Sequence, residues 1–274
     1  MDNRFTAVSS EIALVISDID GTLITSNHEL TDATRHTAAA LRDSGIGLSV
    51  ASSRPPRSIR PIADGLGLDS PFAAFNGALV VTASGKTVAE STIPADMTVG
   101  IRAIATELGL DVWLYDSQDW WASMRTAVVD REEHTSGFSA RLDGYSERLM
   151  KPLNKLTVVG RPEQVAIAEQ RILRELGDVV SASRSKPRFL DVTLHGWHKG
   201  TVVGHLAGLF HTSPQHVAVI GDGPNDVEMF VQAAVSIAMG QAVDEVRARA
   251  RFVTASNDDE GWARGIERHV LRKC

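Results

Sequence analysis

Four short apolar runs in this sequence end abruptly at a polar residue or a glycine. They occupy residues 13–18, 48–52, 72–76 and 217–222. Apolar runs of this length that do not alternate with polar residues are typical of strands buried on both faces of a parallel sheet. Helical spacing of apolar residues follows Thr31, which can cap a helix, and it recurs at 59–66 and 202–210. Strands that alternate with helices predict a doubly wound α/β sheet.

The long gap between the third and fourth runs predicts a separate inserted domain. The gap holds three more strand-like runs and two helical patterns, at 112–115, 155–159, 189–194, 97–109 and 162–176. A structureless loop of this length is implausible inside a compact domain. We therefore predict an inserted α+β domain at 85–190 and a core formed by residues 1–84 and 191–274.

Charge and cysteine content narrow the class of protein. The net charge of −6 argues against a general nucleic-acid binder and against binding to an anionic membrane. The only cysteine, Cys274, excludes an internal disulfide and a cysteine-based metal centre. The nine histidines show no metal-ligand spacing. Since no apolar stretch reaches about 18 residues and the first ten residues are polar, we expect a cytoplasmic protein without a membrane span, as a monomer or homodimer.

Polar residues that can carry chemistry follow each predicted strand. They are Asp18 and Asp20, then Ser52, Ser53 and Arg54, then Asn76, and finally Asp222, Asn225 and Asp226. Ligands bind outside the carboxyl ends of the strands in open α/β sheets. Carboxylates from two strands suit Mg²⁺, which takes its other oxygen ligands from water and phosphate. Lys199, at a predicted helix start, is a nearby cation that could balance a phosphate.

The motifs resemble those of the haloacid dehalogenase (HAD) superfamily of phosphatases. Residues 18–23 (DIDGTL) resemble its DxDGT signature, and 221–226 (GDGPND) resemble its GDGxND motif. Segments 76–79, 198–200, 238–240 and 253–257 resemble the Cof-type subfamily, class IIB, whose C2B cap is inserted where this chain has its long gap. The resemblance covers about 10–270, with the motifs in family order. It implies a HAD-type, Rossmann-like parallel sheet core with an inserted α+β C2B cap domain.

The resemblance also implies a role for each matching residue. Asp18 would be the nucleophile and form an aspartyl-phosphate, and Asp20 would be the general acid and base. Mg²⁺ would be held by Asp18, the backbone carbonyl of Asp20, and Asp222. The groups implied to hold phosphate are Ser52, Ser53, Lys199 and Asn225. Arg54, Asn76 and Asp226 would contact the substrate or support these residues, with Asp226 orienting Lys199 or a metal-bound water.

These roles predict a Mg²⁺-dependent phosphatase that hydrolyses small phosphorylated metabolites, with sugar phosphates as the expected class. A phosphosugar mutase is the first alternative, because phosphomannomutases share this core and cap type. A non-catalytic phosphate-ligand sensor is the second, although such a protein does not need both a nucleophile and an acid. A dinucleotide-binding oxidoreductase is disfavoured because no G-x-G-x-x-G turn follows the first strand.

The sequence departs from the family pattern at two places, and it leaves the roles of several residues of the insert undecided. Ser52-Ser53-Arg54 stands where the family usually has Thr-Gly-Arg, and Gln241 stands where Asn is common. Four aromatic residues of the insert could stack on a sugar ring: Trp113, Tyr115, Trp120 and Trp121. We expect at least half of them to be core residues instead. Basic residues that we expect to be surface charges are Arg125, His134, Lys151, Lys155 and Arg184.

Overall fold

The first, second and fourth apolar runs form neighbouring strands of one parallel sheet. The computed structural model describes residues 11–272, so residues 1–10 and 273–274, including Cys274, lie outside the described part of the chain. The strands are β1 (Leu14–Ser17), β2 (Gly47–Val50), β3 (Phe72–Ala74), β4 (Leu79–Val81), β5 (Thr87–Glu90), β6 (Asp111–Tyr115), β7 (Trp120–Trp121), β8 (Lys155–Val159), β9 (Val180–Lys186), β10 (Phe189–Leu194), β11 (Val217–Gly221), β12 (Val235–Ala238) and β13 (Phe252–Val253). The parallel sheet has the order β13-β12-β11-β1-β2.

Residues 11–272 form ten α-helices, and those outside residues 95–194 cover both faces of the parallel sheet. They are α1 (Asp32–Asp43), α2 (Pro56–Gly65), α3 (Ala95–Glu107), α4 (Ala127–Ser136), α5 (Tyr145–Leu149), α6 (Pro162–Leu176), α7 (Lys199–Leu209), α8 (Val227–Gln232), α9 (Asp244–Arg247) and α10 (Gly261–His269). Leu14 of β1 shares a hydrophobic cluster with Leu206 of α7. Val15 shares the opposite cluster with Leu41 of α1 and Ile266 of α10. Burial on both faces explains the continuous apolar run, and the α/β prediction is confirmed.

The third apolar run does not join the parallel sheet as a regular strand, which corrects the prediction for 72–76. β3 pairs antiparallel with β4, and β4 pairs with β5, in a separate three-stranded sheet. A single parallel bridge between Ala51 and Ala73 connects it to the end of β2. The run ends at Ala74 because Phe75 and Asn76 both adopt positive φ, at 52° and 55°, and turn the chain. β12 and β13, which carry the two later motif segments, complete the parallel sheet instead.

The insert, which we define as residues 95–194, contains a five-stranded sheet of its own. Its order is β7-β6-β8-β10-β9, and its strands pair antiparallel. β10 continues to Leu194, so the predicted boundary at 190 falls inside a strand of this sheet. The predicted boundary at 85 precedes β5, which pairs with β4 outside the insert. The pattern of apolar residues could not locate either domain boundary, because the sequence of β5 or of β10 does not show which sheet the strand joins. Within residues 11–272, no helix is long and apolar enough to cross a bilayer.

Candidate active site

The ammonium of Lys199 joins two of the predicted aspartates. Asp18 directly follows β1, and β11 lies beside β1 with Asp222 and Asp226 just after it. Lys199 Nζ donates to Asp18 Oδ1 at 2.5 Å and to Asp226 Oδ1 at 2.7 Å. The Lys199 side chain is 1% exposed and that of Asp226 is not exposed at all. The charges of Asp18 and Asp226 outweigh the effect of burial, which would lower the pKa of Lys199, and keep the ammonium charged.

Asp226 has both carboxylate oxygens committed to structural hydrogen bonds. Its Oδ2 accepts the backbone N–H groups of Asp222 at 3.0 Å and Gly223 at 2.8 Å, while Oδ1 accepts from Lys199. These bonds close the turn after β11 and aim the Asp222 side chain at Asp18. The geometry therefore agrees with an orienting role for Asp226 better than with direct metal binding.

The loop after β1 is built around Asp222. Thr22 Oγ1 donates to Asp222 Oδ1 at 3.0 Å. Gly21 has φ +73°, and a Cβ there would lie 2.4 Å from Asp222 Oδ2, so only glycine fits this close approach. Gln241 Nε2 donates to the Gly21 carbonyl at 2.6 Å, and its Oε1 accepts the Asn257 N–H at 3.1 Å. The glutamine that departs from the family pattern thus holds the loop that carries the candidate nucleophile.

The oxygen ligands around Asp18 fit a hard divalent cation. One carboxylate oxygen from each of Asp18, Asp222 and Asp226 lies within 4.8 Å of the others. Among the described residues, nothing donates a hydrogen bond to the Asp20 carbonyl, Asp18 Oδ2 or Asp222 Oδ2. The set contains no nitrogen or sulfur ligand, which suits Mg²⁺ or a similar ion.

The electrostatics of these carboxylates agree with a cation site. Burial raises the pKa of Asp18 well above its ordinary value; Lys199 opposes this shift, and Asp226 and Asp222 add to it. Burial, together with the charge of Asp226, raises the pKa of Asp222 to about 7. Such shifts indicate negative charge crowded in a poorly solvated place, which a bound cation would offset.

Asp20 forms a two-pronged ion pair with Arg54. Arg54 Nε donates to Asp20 Oδ2 at 2.6 Å, and Nη2 donates to Oδ1 at 2.7 Å. Burial alone would raise the pKa of Asp20, but the hydrogen bonds and charge of Arg54 outweigh it and hold the pKa below its ordinary value. The Arg54 guanidinium also reaches the Thr135 carbonyl of α4 at 3.4 Å. Arg54 thus contacts both the insert and the candidate acid and base.

The Ser52-Ser53 segment keeps a hydroxyl free for phosphate. Ser52 Oγ accepts the Arg54 N–H at 3.2 Å, which leaves its own hydrogen able to donate. Ser53 is not among the described residues with positive φ, so serine is accommodated here without backbone strain. The glycine usual at this position in the family is therefore not required by the backbone of this chain.

A buried polar network joins Ser53 and Asn225 to the insert. Lys155 Nζ donates to the Ser53 carbonyl at 2.9 Å and to Asp191 Oδ1 at 3.2 Å. Asn76 Nδ2 donates to Asp191 Oδ2 at 3.4 Å, and Asn225 Nδ2 donates to Asn76 Oδ1 at 3.2 Å. The strained turn at Phe75 and Asn76 places the Asn76 amide between these partners. Asn76 thus bridges core and insert.

Lys155 corrects the expectation of a surface charge. Its side chain is 6% exposed, its partner Asp191 is 2% exposed, and its ammonium lies 4.4 Å from the centre of the Tyr115 ring. The sequence signal for this pair was a charged residue within each of two strands that are otherwise apolar. The other basic residues expected at the surface are exposed there: Arg125, His134, Lys151 and Arg184.

A cavity of about 460 Å³ lies between the core and the insert. Among its lining residues are Asp18, Asp20, Ser53, Arg54, Asp222 and Asn225. Ser52, Asn76, Lys199 and Asp226 lie behind this lining. All four aromatic residues singled out in the insert are buried: Trp113, Tyr115, Trp120 and Trp121. Trp113 and Tyr115 also line the cavity, whereas Trp120 and Trp121 do not and are core residues.

Comparison with known proteins agrees with this geometry. The family described as haloacid dehalogenase-like hydrolase matches residues 15–266. The chain belongs to the haloacid dehalogenase-like hydrolase family. It is 28% identical to YxeH of Bacillus subtilis (strain 168), over 95% of this chain and 99% of that protein. It is 24% identical to the HMP-PP phosphatase of Escherichia coli (strain K12), over 86% of each chain.

A solved structure confirms the fold of this hydrolase. The class IIB sugar phosphatase BT4131 superposes with a TM-score of 0.83 at 23% identity, over 93% of this chain and 98% of its own. This likeness confirms the HAD-type α/β fold. The family match over residues 15–266 confirms the prediction of a hydrolase of this superfamily. HAD phosphatases generally use a divalent metal. The cluster of Asp18, Asp222 and Asp226 in this hydrolase offers a place for one.

The buried Lys155–Asp191 pair predicts a large loss of stability when one partner is removed. Asp191→Ala leaves the Lys155 ammonium buried without a carboxylate, which should lower the free energy of unfolding by about 3–5 kcal/mol. Denaturant unfolding followed by circular dichroism measures this change. The control is Glu169→Ala, which breaks the partly exposed pair with Arg184 in the same insert and should cost about 1 kcal/mol or less. Equal effects of the two variants would contradict the prediction.

Proposed function

We propose that this hydrolase is a Mg²⁺-dependent phosphatase of small phosphorylated metabolites, above all sugar phosphates. The observation that carries the proposal is the state of Asp18. One of its oxygens is held by Lys199, while the other accepts no hydrogen bond from the described residues, and the side chain lines the cavity. The likeness to an HMP-PP phosphatase and to a sugar phosphatase of class IIB supports this substrate class.

In the first half-reaction, Asp18 attacks the phosphorus of the bound ester. A bond forms between the Asp18 carboxylate and phosphorus, and the bond from phosphorus to the ester oxygen breaks. Asp20 gives a proton to that oxygen, and the alcohol leaves. Since Arg54 holds both Asp20 oxygens and favours the ionised form, Asp20 has to take up this proton from water and give up one of the two hydrogen bonds before the step.

In the second half-reaction, water attacks the aspartyl-phosphate. Asp20, now ionised, takes a proton from the water, and the ion pair with Arg54 favours this charged form. The bond between Asp18 and phosphorus breaks and inorganic phosphate leaves. Asp20 has then recovered its proton, and Asp18 its carboxylate.

The phosphate is held by groups that each retain an unused donor. Lys199 has a third N–H beyond those given to Asp18 and Asp226. Ser52 retains its hydroxyl hydrogen, and Asn225 retains the second hydrogen of its amide. Asp18, Asp222 and the Asp20 carbonyl would hold Mg²⁺, which when bound supplies positive charge against the repulsion between carboxylate and phosphate.

A phosphate-release assay tests the proposal. The purified protein with Mg²⁺ should liberate inorganic phosphate from members of a phosphorylated-metabolite panel. Asp20→Ala should slow release by roughly 10²- to 10⁴-fold, the usual contribution of a positioned acid–base group. Tight binding of a phosphorylated metabolite with no release of phosphate would instead favour the sensor alternative.

The same assay separates a phosphatase from a mutase. Both would carry phosphate on Asp18, but in a mutase a sugar hydroxyl replaces water as the second attacking group. We expect phosphate to accumulate in step with substrate loss, with no requirement for a sugar bisphosphate. Conversion of a hexose 1-phosphate to the 6-phosphate faster than phosphate appears would make the mutase the better assignment.

A further inference from the structure

One carboxylate on the cavity wall is left without a partner. The cavity-lining acids are Asp18, Asp20, Glu132, Asp191, Asp222 and Asp258. Five of them accept hydrogen bonds: from Lys199, Arg54, Lys155, Thr22 and the Ser26 N–H. Glu132 alone receives no hydrogen bond or ion pair from residues 11–272. Glu132 is half-buried, so its carboxylate is available to bond to water or to a ligand in the cavity.

Glu132 is held firmly in position by the helix that carries it. α4 is anchored at its end to the core, where the Ser136 carbonyl accepts from Ser58 Oγ and the Thr135 carbonyl accepts from Arg54. Glu132 lies one turn before these contacts. Burial raises its pKa, and the nearby charges of Lys186 and Lys155 oppose that shift. The backbone that carries Glu132 is thereby fixed relative to the core, which lowers the entropy cost of binding a ligand through this residue.

Lys186 provides the complementary charge on the same wall. It ends β9 and lines the cavity, and among the described residues no carboxylate lies within 4.0 Å of its ammonium. Lys186 is exposed, and its ammonium lies 5.9 Å from the centre of the Phe189 ring. The other lysine of the cavity, Lys155, is already neutralised by Asp191. The insert therefore presents one unpaired acceptor and one unpaired cation to the cavity.

We propose that Glu132 and Lys186 bind the hydroxyl groups of the leaving alcohol and thereby select polyhydroxylated phosphate monoesters. A hydroxyl can donate to Glu132 while a neighbouring hydroxyl accepts from Lys186. A second anionic group would be attracted by Lys186 but repelled by Glu132, and an ammonium group the reverse, so neutral hydroxyl groups are the ligands that both side chains can bind. The Trp113, Tyr115 and Phe189 side chains on the same wall offer apolar surface to the carbon skeleton. This inference rests on the proposed phosphatase function.

The test compares two six-carbon esters that differ in their hydroxyl groups. The probes are glucitol 6-phosphate and n-hexyl phosphate, and the measured quantity is the ratio of their kcat/KM values. Glu132→Gln should lower this ratio by roughly 10- to 100-fold, the range expected for hydrogen bonds to a charged group. Lys186→Met should lower it in the same direction. Because Glu132 bonds to no described residue, Glu132→Gln should not lower the unfolding temperature.

Asp130→Asn is the matched control. Asp130 lies on the same helix and undergoes the same change from acid to amide, but it is exposed and does not line the cavity. It should leave the ratio within about twofold of wild type. An unchanged ratio in Glu132→Gln, or a wild-type preference for hexyl phosphate, would overturn the inference while leaving the phosphatase intact. A wild-type protein that releases phosphate from neither ester nor from any panel member would instead overturn the proposed function.

Discussion

Asp18→Asn is expected to reduce kcat for phosphate release by about 10⁴- to 10⁶-fold, the range for loss of an enzyme nucleophile. The amide cannot form an acyl-phosphate, although its oxygen can still accept from Lys199. It also removes one negative charge from the cluster with Asp222 and Asp226, where burial disfavours the ionised form. The unfolding temperature should therefore stay at or above that of the wild type.

The combination of lost activity and retained stability distinguishes a nucleophile from a structural aspartate. Asp64→Asn is the control, because Asp64 is exposed, pairs only with Arg60 on α2, and lies away from the cavity. It should leave kcat unchanged. Activity of Asp18→Asn within tenfold of wild type, or a marked fall in its unfolding temperature with activity retained, would remove Asp18 from the proposed mechanism.

Removal of divalent metal is expected to bring phosphate release down to background, and Mg²⁺ should restore it. The physical reason is that burial, and after it the charge of Asp226, raises the pKa of both Asp18 and Asp222. Negative charge in this poorly solvated place opposes the approach of an anionic phosphate. Mg²⁺ should also raise the unfolding temperature, since an ion that binds only the folded state stabilises it. Activity after chelation and thermal unfolding, each with and without Mg²⁺, measure the two effects.

Asp222→Asn sharpens the metal test. The amide removes one anionic ligand, so both the activation by Mg²⁺ and the thermal shift should require a higher Mg²⁺ concentration. Asp258→Asn is the matched control: it also lines the cavity, but its carboxylate accepts the Ser26 N–H and lies outside the cluster of Asp18, Asp222 and Asp226. Full activity in excess chelator would exclude metal from the proposed mechanism.

Much of the core of this protein could be predicted because its signals are local. The strands β1, β2 and β11 are buried and mainly apolar, with Ser17 and Ser49 as their polar side chains. Since parallel strands place their carboxyl ends at one edge, the polar residues that follow them had to meet there. Asp18, Asp222 and Asp226 do meet, and Lys199 joins them. The catalytic roles of these residues stay predictions.

Residues whose partners lie far away in the chain could be placed only by the tertiary structure. β3 has the apolar composition of a buried strand, but which sheet it joins depends on hydrogen bonds to β4. The pairing of Asp20 with Arg54 depends on how two loops meet, although both residues belong to predicted motifs.

The sequence by itself determined the α/β core and the set of residues at the strand ends. Both depend on the spacing of apolar residues and on the polar residues that directly follow them, and these features lie within short segments of the chain. The docking of the insert was decided by tertiary structure alone. That docking buries Lys155 and Asp191 as a pair and places Glu132 at the cavity with no partner among residues 11–272. Neither the spacing of apolar residues nor a sequence motif shows how the insert docks. The burial and pairing of a charged side chain depend on surfaces that come together from distant parts of the chain.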